Sequence, residues 1–431
     1  MASAGLPRGL WGAVRSQLTP ITFKSSIPSI ASPSTLRAFS STSARSIRTV
    51  TPRPQAFKLP FFTPSARSTF FYPSHAFIFP RSITTAPSLP EIPRSLPIWL
   101  YGCSALVFGI VVIGGVTRLT ESGLSIVEWQ PFKGVIPPIT AAEWDAEWEK
   151  YRVSPEGLIF VIPAAYYVAR YKLPKPIPAK LALIGLGIGF QGFLGWWMVK
   201  SGLDQEIVET NSVPRVSQYR LATHLTAAFL LYLGMLSTAI GIQRDVKLFK
   251  NPGIVSQLSL PSVKKFRGMV HGAGMMVFLT AIAGAFVAGL DAGLVYNEWP
   301  LMGGRIVPPT DELLDEHYTR GGTKSILRNF LENPVTAQFN HRMLAYTTFG
   351  LVVALPFVAR KVPFASTRRL ANLTAAAAVT QVTLGITTLL YLVPISLASM
   401  HQAGSVVLLT CIMALGGSLR KPSRMLKHLR R

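Results

Sequence analysis

Gly114-Gly115-Val116-Thr117-Arg118-Leu119-Thr120-Glu121-Ser122-Gly123-Leu124-Ser125-Ile126-Val127-Glu128-Trp129 overlies Gly284-Ala285-Phe286-Val287-Ala288-Gly289-Leu290-Asp291-Ala292-Gly293-Leu294-Val295-Tyr296-Asn297-Glu298-Trp299 in constant register. Each copy leaves an apolar run and enters a polar connection, so the chain contains the same unit twice. Eight apolar segments follow Glu91: 97–116, 157–169, 179–199, 221–241, 270–290, 341–359, 370–393 and 397–417. A helix needs about 20 residues to cross the hydrocarbon core, and only the second segment falls clearly short. The expected fold is therefore an all-α polytopic membrane protein with eight transmembrane helices, built as two pseudo-symmetric four-helix bundles with a truncated second helix. An even number of spans per half makes the repeats parallel, related by an axis along the membrane normal.

Composition supports this class, since 49% of the 431 residues are hydrophobic and 14% are charged. The net charge of +24 does not mark a nucleic-acid surface, because the basic residues are divided between the N-terminal region and alternate loops. Residues 1–90 contain no Asp or Glu and carry Arg8, Arg15, Arg37, Arg45, Arg48, Arg53, Arg67 and Arg81 among many Ser, Thr and Pro, the composition of a mitochondrial presequence. Residues 91–250 then form the N-terminal bundle, and 251–431 the C-terminal bundle with a basic tail. Basic clusters follow the second, fourth, sixth and eighth spans, at Arg170–Lys180, Arg244–Arg267, Arg360–Arg369 and Arg420–Arg431. Acids gather in the alternate connections, at Glu143–Glu149, Asp204–Glu209 and Asp311–Glu316. The positive-inside rule places the basic loops and both termini in the matrix. Cys103 and Cys411 lie inside apolar runs and support neither a disulfide framework nor a thiolate metal site.

His224, His341 and His401 open the fourth, sixth and eighth spans, which all start on the side away from the basic loops, so the three imidazoles lie at one depth. Ionisable groups inside a membrane are costly and point to function. Two imidazoles from two helices suit axial ligation of haem, whereas zinc or di-iron bundle sites need three or four converging ligands, including carboxylates. Arg342 and Arg220, near the same face, are candidate partners for the propionates. Further repeat matches join Gln191, Leu194 and Gly195 to Gln381, Leu384 and Gly385, and His224 to His401. Gly157-Leu158 and Pro163 match Gly350-Leu351 and Pro356, yet nine residues before Gly157 stands Trp148, where the repeat calls for a counterpart of His341. The pattern places a deletion at about Glu156–Gly157.

The long motifs resemble the mitochondrial haem A synthase family from about Pro97 to Gly417. They include the Gly114–Ser125 and Gly284–Gly293 stretches, Gly195-Trp196 through Lys200-Ser201-Gly202-Leu203, and Pro214-Arg215-Val216-Ser217-Gln218-Tyr219-Arg220-Leu221. The resemblance implies an eight-span enzyme of the mitochondrial inner membrane that oxidises a methyl group of haem O to the formyl group of haem A, for cytochrome c oxidase. It implies a haem b on His341 and His401, and substrate haem O beside His224. An electron donor or acceptor, haem O synthase, a second copy of the chain and inner-membrane lipid are the partners it implies. The family's second span also bears a His, with a catalytic Glu three residues earlier. Neither has a counterpart here, and the position matching that Glu in the second half is Gln338. Other readings are a catalytically inactive truncated form, a dihaem electron-transfer protein with the same paired histidines, and a solute carrier, which would require broken helices and midplane charges.

Overall fold

The computed structural model describes residues 92–120, 155–202, 216–319 and 324–423. The expected presequence, 1–90, and the acidic connections at 143–149 and 204–209 lie outside the described residues. Those described belong to one compact unit, Arg81–Arg431.

The structure is helical, and among the described residues the only ladder pairing is the isolated bridge between Met302 and Arg305. Seven helices are long and apolar enough to cross a membrane: α1 (Ser95–Leu119), α3 (Pro176–Lys200), α4 (Gln218–Lys250), α6 (Pro261–Gly289), α10 (Pro334–Ala359), α11 (Ala365–Leu390) and α12 (Ile395–Ser418). Between α1 and α3 lies the shorter α2 (Pro155–Arg170). Short helices fill the connections: α5 (Gly253–Gln257), α7 (Thr310–Leu313), α8 (Glu316–Thr319) and α9 (Lys324–Glu332). The chain is a multi-pass membrane protein. Helices satisfy their own backbone polar groups, which hydrocarbon demands, and their outer faces carry Ile98, Ile113, Leu183 and Leu186 where a soluble surface would be polar.

The long helices begin earlier than the apolar runs suggest, and their first turns show why. Pro176, Pro261 and Pro334 occupy the opening turns of α3, α6 and α10, where a missing N–H costs nothing. At α10, Asn333 also caps the helix by accepting from Val335 N at 2.9 Å and Thr336 N at 3.4 Å. His341 is therefore two turns inside α10 rather than at its mouth. At the other limit, the run expected to continue to Val393 stops at Leu390, where Leu392 and Val393 take left-handed φ values of 61° and 55°. The N–H of Val393 closes back on Thr388 O at 2.8 Å, and Pro394 starts the turn into α12.

One buried cluster joins α4, α6, α10, α11 and α12, with Phe229, Phe266, Val352, Leu355 and Leu409 at its centre. A smaller one joins α1, α2, α3 and α4. Hydroxyl pairs reinforce the first, with Thr280 and Thr348 2.7 Å apart between α6 and α10, and Thr367 and Ser418 2.9 Å apart between α11 and α12. Helix α2 is held along one face. Its Phe160 and Tyr167 rings pack on Trp99 at 5.0 and 5.5 Å between centroids, while Leu158, Ile159, Val161 and Ile162 remain exposed.

Candidate haem-binding cavity

The long helices surround a cavity of about 1100 Å³ whose wall includes His224, His341 and His401. His224 and His401 are each the seventh residue of their helix and His341 the eighth, so each sits about two turns in. The three histidines singled out by depth in the sequence thus reach one space. His271 is exposed on α6 and lies outside it.

Glycines give the rings their room. A Cβ on Gly284 would stand 3.1 Å from His341 Cε1, and one on Gly385 would stand 2.8 Å from His401 Cε1. Gly114, the repeat partner of Gly284, has nothing within 4 Å. The helix surface that receives an imidazole in the second half thus faces open space in the first. His341 Nδ1 is buried without a hydrogen-bond partner. Among the described residues, no three His, Cys, Asp or Glu side chains converge as a metal cage. The donor set at hand is imidazole with flat, glycine-floored surroundings, which fits two-histidine ligation of a haem.

The arginines divide differently from expectation. Arg342 lines the cavity but is 8% exposed, and its guanidinium donates to the carbonyls of Leu301, Tyr296 and Glu298 at 3.0, 3.1 and 3.0 Å. It ties the connection after α6 across the start of α10. Arg220 lies away from the cavity wall, donates to Trp197 O at 2.8 Å and stacks 4.8 Å from the Trp197 ring centroid. The cation that lines the cavity from the first half is Arg118, which reaches Ala288 O and Asp291 Oδ1, both at 3.2 Å. Arg118 was not among the sequence candidates; the signal that could have found it is its place in the repeat, where its counterpart is Ala288. Gln338 donates to Ala292 O at 2.9 Å and Tyr296 O at 3.1 Å, so the same connection is pinned twice. Farther along it, the Glu312 carboxylate accepts from the Tyr296 hydroxyl, which pushes that hydroxyl up to about 12.

Two residues marked only as repeat matches prove to touch the histidines: Gln191 contacts His224, and Gln381 contacts His401. Sequence spacing could not assign that contact, because glutamine and histidine lie on different helices.

A multi-pass helical membrane protein with histidines from several helices on one internal cavity is the class that this geometry defines. Residues 97–157 and 156–413 match the cytochrome oxidase assembly protein family, and the chain belongs to that family. It is similar to the heme A synthase of Saccharomyces cerevisiae, 44% identical over 378 residues that cover 78% of this chain and 77% of the yeast protein. The heme A synthase of Homo sapiens is 41% identical over 355 residues, covering 75% and 82%. A heme A synthase-mitochondrial ferredoxin fusion protein of Schizosaccharomyces pombe is 41% identical over 381 residues, covering 78% of this chain and 62% of the fusion. The heme A synthase relatives imply an oxidoreductase. The family match falls into two stretches that meet at Gly157, where the repeat breaks.

Proposed function

We propose that this chain is built as a haem A synthase of the mitochondrial inner membrane, acting on haem O. The observation that carries the reading is the meeting of His224, His341 and His401 on one cavity, with glycines beneath two of the rings. His341 and His401 would hold a haem b, which when bound supplies a one-electron relay. His224 would stand beside the substrate in the other half. Turning a methyl into a formyl group takes up the oxygen of one water and releases four protons and four electrons in two two-electron steps, so the electrons must pass to the redox partner and the protons must leave the same place. The α1–α4 set and the α6, α10, α11 and α12 set support the reading as two four-helix bundles. The fused ferredoxin of the fission yeast relative supports an iron–sulfur protein as the redox partner.

Purified from membranes, the full chain is expected to carry haem b with a low-spin spectrum, and a chain purified free of haem would contradict the site. The arrangement of charged loops supports both termini in the matrix. A tag after Arg431 should resist protease in intact mitoplasts while one near Asp315 is cut, and the reverse pattern would overturn the orientation.

A second reading has its own support. Helix α2 has 16 residues against 24 to 33 in the long helices, Gly114 faces open space, and the family match breaks at Gly157. The 378 positions aligned with the yeast relative draw on only 78% of 431 residues, so some tens of positions have no counterpart here. We infer that the chain as given lacks the histidine-bearing start of its second span and is an inactive form.

A further inference from the structure

Helix α9 is fixed to the protein by its polar side. Asn329 is fully buried, donating to Asp315 O at 3.3 Å and accepting from Asn333 Nδ2 at 3.0 Å. Glu332 accepts from the Tyr219 hydroxyl at 2.8 Å and from Arg328 Nε at 3.0 Å. Ile326, Leu327 and Phe330 are left exposed. A helix held with its apolar side outward, one residue ahead of the spanning helix α10, belongs at a membrane surface rather than in water.

Next to α9 a groove of about 520 Å³ runs between α6 and α10. Leu279, Ile282 and Phe286 of α6, Leu344 of α10, and Phe330 and Leu331 of α9 line it. It shares no wall residue with the histidine cavity, and it opens on the outer face of the bundle, where Leu279, Phe330 and Thr347 are exposed. Its size falls within the range of about 300–1,000 Å³ usual for small-molecule sites. Two polar side chains reach its wall. The Thr347 hydroxyl is satisfied within α10 by Met343 O at 2.9 Å, whereas the Asn340 carboxamide has no hydrogen-bond partner among the described residues.

Depth says what that amide meets. Asn340 is the seventh residue of α10, about 9 Å along the axis from the helix start at 1.5 Å per residue. The polar layer on each side of a bilayer is about 5–8 Å deep. With α9 in that layer, Asn340 stands where the layer meets the hydrocarbon, at the level of the ester groups of phospholipids. Water is scarce there, so a free amide needs a partner carried by the lipid itself.

We propose that this groove binds one glycerophospholipid of the leaflet in which α9 lies. An acyl chain runs along α6 and α10, and its ester carbonyl accepts from Asn340 Nδ2. Phe330 and Leu331 cover the chain at its polar end.

The test reconstitutes the full chain in vesicles of phosphatidylcholine bearing a diazirine in one acyl chain, irradiates them and identifies the labelled peptides by mass. Label is expected to concentrate on residues 279–286 and 340–347, above the exposed face of α3 at Leu183 and Leu186, and to be released by excess unlabelled phosphatidylcholine. Ala283→Trp fills the groove and Asn340→Leu removes the amide; each lowers the groove label by at least about fivefold, the factor one hydrogen bond supplies, and leaves the α3 label unchanged. Label no denser there than on α3, as a groove covered by a second copy of the chain would give, overturns the proposal. Release by excess farnesol but not by phosphatidylcholine assigns the groove to an isoprenoid chain and overturns it as well. If the tryptophan protein does not fold, Asn340→Leu decides, and undiminished label in that variant overturns the proposal.

Discussion

His341→Ala and His401→Ala each remove the low-spin haem b absorption from the purified chain, while His271→Ala leaves it unchanged. The two ligand candidates line one cavity, each about two turns from its helix start, and both rings lie against glycine. His271 is exposed on α6. Substituting a partner that merely orients a metal ligand costs about 10- to 100-fold in metal affinity, and loss of the ligand itself exceeds that. Haem retention after detergent extraction therefore falls at least about a hundredfold in either histidine variant. Loss in only one of the two would replace the pair by a single ligand with a different partner. An unchanged absorption spectrum in both would remove the site from this cavity.

The architecture was legible because lipid imposes a simple rule on sequence. Apolar runs of about 20 residues become spanning helices, and among the described residues seven form helices long and apolar enough to span. The convergence of His224, His341 and His401 on one cavity followed the pattern in the sequence, since each stands near the start of an even-numbered apolar run. Helix ends were less readable. Asn333-Pro334 is a capping signal outside the apolar run, and it carries α10 seven residues earlier than hydropathy alone marks. The arginines were least readable. Arg342 and Arg220 have the right depth for an anionic group, but a guanidinium can turn to any carbonyl in reach, and those of Leu301, Tyr296, Glu298 and Trp197 take them up. Which acceptor a long side chain finds is decided by loop geometry, about which spacing along the chain is silent.

The second half has its two histidines and the first half has one, so the account turns on what is missing before Gly157. Helix α2 has 16 residues, about 24 Å at 1.5 Å per residue, against a hydrocarbon core of about 30 Å. Extending it through the preceding stretch would draw Glu147, Glu149 and Lys150 toward the bilayer, at about 2.5–3.5 kcal/mol for each charge that reaches the centre. Restoring about 20 to 30 residues with a histidine two turns in would instead complete the span at little cost and fill the space before Gly114. The direct measurement is extraction of haems from a strain lacking its own enzyme, expressing either the chain as given or the chain with that segment restored ahead of Gly157. The account predicts haem A from the restored chain and none from the chain as given; haem A from the chain as given would contradict it.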